Sequence, residues 1–263
     1  MHGNTLIDNS EHLKLVNILN EIITLPEVEE ICIATGYWDL KGTALIADAL
    51  KTFLQKDGTK LRLLIGKDPN VCQKDLTAES YRNAKKYPQD FIKIDLQNVR
   101  LNVPSYQEAA KLLVDYCSAE NPKIEVHVFN VNENDERQFF HAKCYIFKGV
   151  GGSYGIIGSS NLTQKGLEGN SELNFLDADA AHIMTEPKPG SPYKGHYFWF
   201  NEKWELSEDW TKEFVVEIRN SPVGKAAGKN EIYTVLSPKE TYIKLLQDQF
   251  AEIIASDGKI QGR

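Results

Sequence analysis

Apolar and polar positions follow two rhythms along this chain, and the switch between them marks its elements. Leu13, Val16, Leu19, Ile22 and Ile23 recur at helical spacing, with Asn9 or Ser10 placed to cap the helix and Pro26 to limit it. EEICIATGYWD is β-rich and mostly apolar, TALIADALKTFLQ repeats apolar residues at three and four, and LRLLIG follows after Asp57-Gly58. A buried strand, a helix and another buried strand predict a βαβ unit with parallel pairing, because the crossover helix covers the sheet face that each apolar strand exposes.

The stretch from Asp75 to Asp115 is broken by Pro88 and Pro104 and reads as helical in places. KIEVHVFN then alternates as a strand, with Ile124, Val126 and Val128 on one face. From Phe139 the pattern becomes a meander: FFHAKCYIF as a strand, KGVGGS as a turn, YGIIG as a second strand, SSNLTQKGL as a strand-to-helix turn and SELNFLDA as a third strand. Phe200, Trp204, Trp210 and Phe214 read as an aromatic set that locks helices onto the core. SPVGKAAGKN, 221–230, reads as a linker, followed by a capping box at Ser237-Pro-Lys-Glu240 and an apolar helical stripe from Tyr242 to Ile254. The expected organisation is therefore an α/β domain over 1–220 and, over 221–263, a linker with an amphipathic C-terminal helix.

Composition changes little in this picture. With 263 residues, 41% hydrophobic and 25% charged, the chain suits a globular protein with one large core. A formal charge of −7 argues against a broad electropositive surface that grips nucleic acid by charge alone. The four cysteines have no C-x-x-C spacing and lie in or beside apolar stretches, which fits a reduced, cytoplasmic protein. Neither a signal-peptide pattern nor an apolar run of about 18 residues occurs, so no membrane is expected as a partner.

The chemistry concentrates in the meander. In a strand, His141, Lys143 and Tyr145 would face one way and Phe140, Ala142, Cys144 and Ile146 the other. Gly158-Ser159-Ser160-Asn161 lies where a strand turns into a helix, and Glu172 shares a predicted face with Asn174. These residues supply a nucleophile or acid–base (His141), a fixed positive charge (Lys143), neutral donors to phosphate (Ser159, Asn161) and a carboxylate to orient the histidine (Glu172). That is the inventory of a phosphoryl-transfer site that needs no metal and no cofactor. A metal site of His127, His141, Cys144 and Glu172 lacks the standard short ligand spacings.

His141-Ala-Lys143, Gly158-Ser159-Ser160-Asn161 and Glu172, in that order, resemble the signature of the phospholipase D superfamily. The closest likeness is to its single-motif nuclease branch, which includes phospholipase D-like restriction endonucleases. The N-terminal alternation and WELSEDWTKEF also look like the phospholipase D-like module of certain bacterial helicases. The resemblance implies a mixed β-sheet flanked by helices, catalysis by His141, Lys143, Asn161 and Glu172, and phosphate binding by Lys143, Ser159 and Asn161. It implies DNA as substrate, with a lipid hydrolase or a non-catalytic DNA-binding or dimerisation module as alternatives, and a helicase or specificity domain as a further partner. The family mechanism uses two histidines, and of the two H-x-K tripeptides here only His141-Ala-Lys143 is followed by the Gly-Ser turn, the asparagine and the glutamate, His12-Leu-Lys14 not being so followed, so the resemblance implies a homodimer with the site at its interface. The family's aspartate after the H-x-K is replaced here by Lys148.

Overall fold

A computed structural model describes residues 3–66, 88–101, 103–129 and 140–228. Its centre is an eight-stranded mixed sheet. The strands are β1 (Thr5–Ile7), β2 (Val28–Thr35), β3 (Lys60–Ile65), β4 (Ile124–Val128), β5 (Lys143–Gly149), β6 (Gly152–Gly158), β7 (Asn174–Asp177) and β8 (Glu208–Asp209), in the order β1-β7-β6-β5-β2-β3-β4-β8. β2, β3 and β4 are parallel, as the strand–helix–strand rhythm predicts, and β5 joins β2 antiparallel, with Thr35 opposite Lys143.

Both faces of the sheet are covered, which explains the continuous apolar runs in β2, β3 and β5. On one face lie α1 (Leu15–Thr24), α2 (Leu40–Leu45), α3 (Ala47–Gln55), α4 (Pro88–Asn98) and α5 (Pro104–Cys117), followed later in the chain by α8 (Thr211–Asn220). Ile31, Ile33, Tyr145 and Phe147 of the strands belong to the core on this face. The opposite face, with Cys32, Ala34, Cys144 and Ile146, is sealed by α6 (Ala180–Ile183) and α7 (His196–Glu205) through Ile183, Phe200 and Trp204.

The aromatic set at 200–214 packs as the sequence indicates, though it divides between the faces. Phe214 meets Trp38 edge-on at 5.1 Å on one side, and Trp204 stacks on His127 at 3.7 Å on the other. The first helix starts at Leu15, later than the apolar pattern, and Asn9 still serves it at a distance: its Oδ1 accepts the Leu15 N–H at 2.9 Å. The stretch TALIADALKTFLQ divides at Ile46 into α2 and α3 rather than forming one helix.

The linker expected at 221–230 needs correction. Pro222–Gly228 form a further helix, α9, and the compact unit extends to Lys229. Ser221 caps this helix, its Oγ accepting the Gly224 N–H at 3.2 Å, and proline stands at the first helical position. Val223 and Ala226 are buried, so small residues here serve close packing rather than chain flexibility. The expected C-terminal helix, with its capping box, lies outside the described residues. Among the described residues no helix is long and apolar enough to cross a membrane.

Candidate active site

The parallel strand β2 ends at Thr35, and the turn that follows forms the floor of the site. Gly36 is the point of closest approach. A Cβ there would stand 3.0 Å from Cδ2 of His141 and 3.3 Å from Oδ1 of Asn161. Two residues 20 positions apart in sequence are thus held against the same backbone atom, which only glycine permits without displacing them.

His141 does not lie in the strand that its neighbours suggested. The ladder to β2 begins at Lys143, opposite the last residue of β2, and His141 occupies the exposed approach to it. The strand ends there because Gly66, at the end of β3, touches the preceding residue: a Cβ on Gly66 would fall 2.1 Å from the Phe140 carbonyl oxygen. Phe140 is buried, stacked on Phe129 at 4.9 Å, and so anchors the backbone from which the imidazole projects.

Lys143 is 8% exposed and its Nζ donates to the His141 carbonyl oxygen at 3.0 Å. The histidine's backbone is thereby tied to a buried ammonium. Tyr145, next on the same face, is fully buried, with its hydroxyl donating to the Ser160 carbonyl at 2.9 Å. Burial, followed by the charge of Glu172, raises the Tyr145 phenol above its ordinary value, so it stays a neutral donor.

Asn161 is the best-fixed side chain of the set. Its Oδ1 accepts the Tyr37 N–H at 3.1 Å and lies 3.3 Å from the Thr35 hydroxyl. A backbone N–H can only donate, so the oxygen must face Tyr37 and the NH₂ group must face away from it. Thr35, fully buried, also accepts the Leu162 N–H at 3.0 Å, and Asp39 accepts the Gln164 N–H at 3.1 Å. The turn carrying Asn161 is therefore bound along its length to the end of β2 and the start of α2.

Glu172 and Ser159 form the other wall. The Ser159 hydroxyl donates to Oε2 of Glu172 at 2.5 Å and accepts the Leu173 N–H at 3.0 Å, while Asn170 donates to Oε1 at 3.1 Å. In this arrangement the Ser159 proton fixes the carboxylate, and each carboxylate oxygen retains a second lone pair for another donor. Glu172 lies just before β7, not within it. Asn174, buried at the first position of that strand, accepts the Ser160 N–H and donates to the Ser160 hydroxyl.

The sequence reading missed Thr35, Gly36, Tyr37 and Asn174. Thr35-Gly36 after an apolar strand was a visible signal of a tight strand end, but nothing local tied it to a motif 105 residues downstream. The considered metal set does not gather: Cys144 is buried on the opposite face, its thiol pushed up to about 12 by burial, and His127 stacks on Trp204. Among the described residues no group of three or more His, Cys, Asp or Glu is placed to hold a metal ion.

Lys148 also lies on that opposite face. Its Nζ is 3.5 Å from Oε2 of Glu30, which accepts from Tyr197 at 2.9 Å and whose Oε1 pairs with Arg62 at 2.7 Å. Burial works to raise Glu30, but Arg62, Tyr197 and Lys148 together hold its carboxyl below the ordinary value. The cation at position 148 thus has a structural partner on the side of the sheet away from Lys143 and Tyr145.

The family described as "Cardiolipin synthase, PLD-like domain" matches residues 21–186, which include every candidate site residue. No curated protein matches the chain in sequence. Among solved structures it is similar to NucT from Helicobacter pylori, at 15% identity and a TM-score of 0.47, over 78% of this chain and 98% of that one. It is similar to Nuc, a phospholipase D family member from Salmonella typhimurium, at 12% identity and a TM-score of 0.43, over 79% and 97%. A phosphatidylserine synthase from Haemophilus influenzae is similar at 12% identity and a TM-score of 0.45, over 97% of this chain and 46% of that one.

Proposed function

The chain belongs to the phospholipase D-like family, and from that footing we propose that it is a metal-independent phosphodiesterase acting on DNA. The observation that carries this reading is the arrangement around Gly36: an exposed imidazole beside an amide whose oxygen accepts the Tyr37 N–H, so that its NH₂ end is turned away from Tyr37. A nucleophile next to an oriented donor and a buried ammonium matches the needs of in-line displacement at phosphorus.

In the proposed reaction a ring nitrogen of His141 attacks phosphorus and the bond to the leaving oxygen breaks. The leaving oxygen takes a proton from His141 of a second copy of the chain. That second imidazole then removes a proton from water as the water attacks, and the phosphorus–nitrogen bond of the phosphohistidine breaks. Lys143 and the Asn161 amide stabilise charge on the equatorial oxygens, and Glu172 stabilises the imidazolium.

Self-association has support in an exposed apolar row. Leu6, Phe175 and Ile157 are opposite one another across β1, β7 and β6, with Leu173 two residues along β7's approach, and all four are exposed. The row ends at Leu173, whose backbone bonds Ser159. Ile157 is opposite Cys144, so the row lies on the sheet face that Cys144 and Ile146 share; the second His141 is required by the single complete motif and not placed by this row. The motif order supports a restriction or defence setting.

Cleavage of plasmid in EDTA, abolished in His141→Ala, is the test. Intact activity in that variant would refute the assignment, and rescue by magnesium after complete loss in EDTA would show a metal mechanism. Hydrolysis of phosphatidylcholine with plasmid untouched would replace the DNA reading by a lipid one. Sedimentation should give a dimer.

A further inference from the structure

Beside the site, between the β2–α2 turn and α4, lies a cleft of about 360 Å³ lined by Tyr37, Asp39, Lys41, Ile94, Asp95 and Asn98. We propose that it is a nucleobase subsite, which receives one base next to the scissile phosphate. The proposal rests on the nuclease reading above and adds to it a way of holding the substrate.

Three observations carry it. The cleft begins one residue from the phosphate site: Gly36 touches His141 and Asn161, and Tyr37 both bonds Asn161 through its N–H and lines the cleft. A substrate group in the cleft is therefore adjacent to the reacting phosphate along the chain of the substrate. The second observation is size. The volume lies near the lower end for small-ligand sites (~300–1,000 Å³), which suits one base with its sugar.

The third is chemistry. The lining offers an aromatic ring for stacking, an aliphatic side chain at Ile94, and polar groups at its rim. The Tyr37 hydroxyl donates to Oδ2 of Asp95, which fixes the ring against α4. Two carboxylates against one ammonium disfavour a second phosphate in this space. A base with an exocyclic amine meets an acceptor in Oδ1 of Asn98, whose Nδ2 donates to the Ile94 carbonyl at 2.9 Å, whereas the lipid headgroup alternative gains nothing from a ring and an amide placed together. The Asp39 carboxylate is already committed, accepting from Gly42 at 2.6 Å and Gln164 at 3.1 Å, so it shapes the cleft and is not counted as a base contact.

The test compares two diesters on the intact protein. Bis(p-nitrophenyl) phosphate has no base and reports on the phosphate machinery, and a dinucleotide carrying adenine or cytosine reports on both. Asn98→Ala, which removes the acceptor, and Tyr37→Leu, which removes the ring and keeps the backbone N–H on Asn161, should each lower the ratio of dinucleotide to bis(p-nitrophenyl) phosphate kcat/KM at least ~tenfold, mainly through KM. A free deoxynucleoside should compete with the dinucleotide. If DNA is cleaved and the ratio is unmoved in both folded variants, the subsite is wrong and the nuclease reading stands. If the wild type hydrolyses the base-free diester but neither dinucleotide nor DNA, both fall.

Discussion

The Tyr37 backbone N–H donates to Oδ1 of Asn161 at 3.1 Å, across a separation of 124 residues. In the proposed reaction this bond sets which end of the amide meets the phosphate. It comes from the end of a buried strand rather than from a mobile side chain, so in that proposed reaction the donor is oriented before a phosphate arrives and little reorganisation is needed.

Asn161→Asp isolates that role. A carboxylate keeps an acceptor for the Tyr37 N–H and so preserves the turn, but it has no NH₂ to offer and places negative charge against phosphate. The expected result is a fall in kcat of roughly 10²–10³-fold, the scale for removing one preorganised donor. Thermal midpoint should change little. A comparable collapse of the midpoint would show that the residue acts through folding, and unchanged kcat would remove it from the phosphate site.

Lys148 stands where the resemblance expects an aspartate, and its surroundings decide what that means. Its partner Glu30 is already held by Arg62 and Tyr197, and the lysine side chain is itself 40% exposed. A half-exposed ion pair of this length contributes under about 1 kcal/mol. Lys148→Ala is therefore expected to lower stability by less than that in urea titration, with diesterase kcat/KM within about twofold of wild type. Lys148→Asp, which sets two carboxylates together, should be the less stable of the two. A tenfold loss of activity in the alanine variant would reopen the view that this position supports catalysis.

How much of this was legible beforehand follows from the range over which each feature is encoded. The parallel β2–β3 pair and the alternation in β4 come from local apolar rhythm, and the order His141, Lys143, Asn161, Glu172 is local spacing. The start of β5 was misplaced because Phe140 is as apolar as any strand residue; the ladder ends where β2 ends and where Gly66 meets Phe140, both tertiary facts. The roles of Thr35, Gly36 and Tyr37 depend on which strand lies beside β5. The segment 221–230 misled because serine, proline, glycine and alanine suit a loop as well as a tightly packed short helix, and burial of Val223 distinguishes them.

Two histidines on the α7 side make stability sensitive to acid. Burial lowers both His127 and His196 below the ordinary value of 6.5, against the opposing pull of Asp209 on the first and Asp177 on the second. A folded value below the unfolded one means that the unfolded chain takes up protons first as pH falls. Their contribution is thus fully present above about pH 6.5 and is lost as pH falls through the folded values. Glu30, lowered below its ordinary 4.5, acts in the same direction at lower pH, while Asp39, raised by burial, opposes it in the carboxylate range. The histidine effect is therefore read cleanly between pH 7.5 and 5.5, where urea midpoints should decline. His127→Gln retains a partner for Ser207, which lies 2.9 Å from Nδ1, and cannot titrate. Its midpoint should decline less steeply over that interval than the wild type's, His196 accounting for the remainder, and an unchanged slope would show that His127 is not a source of the acid sensitivity.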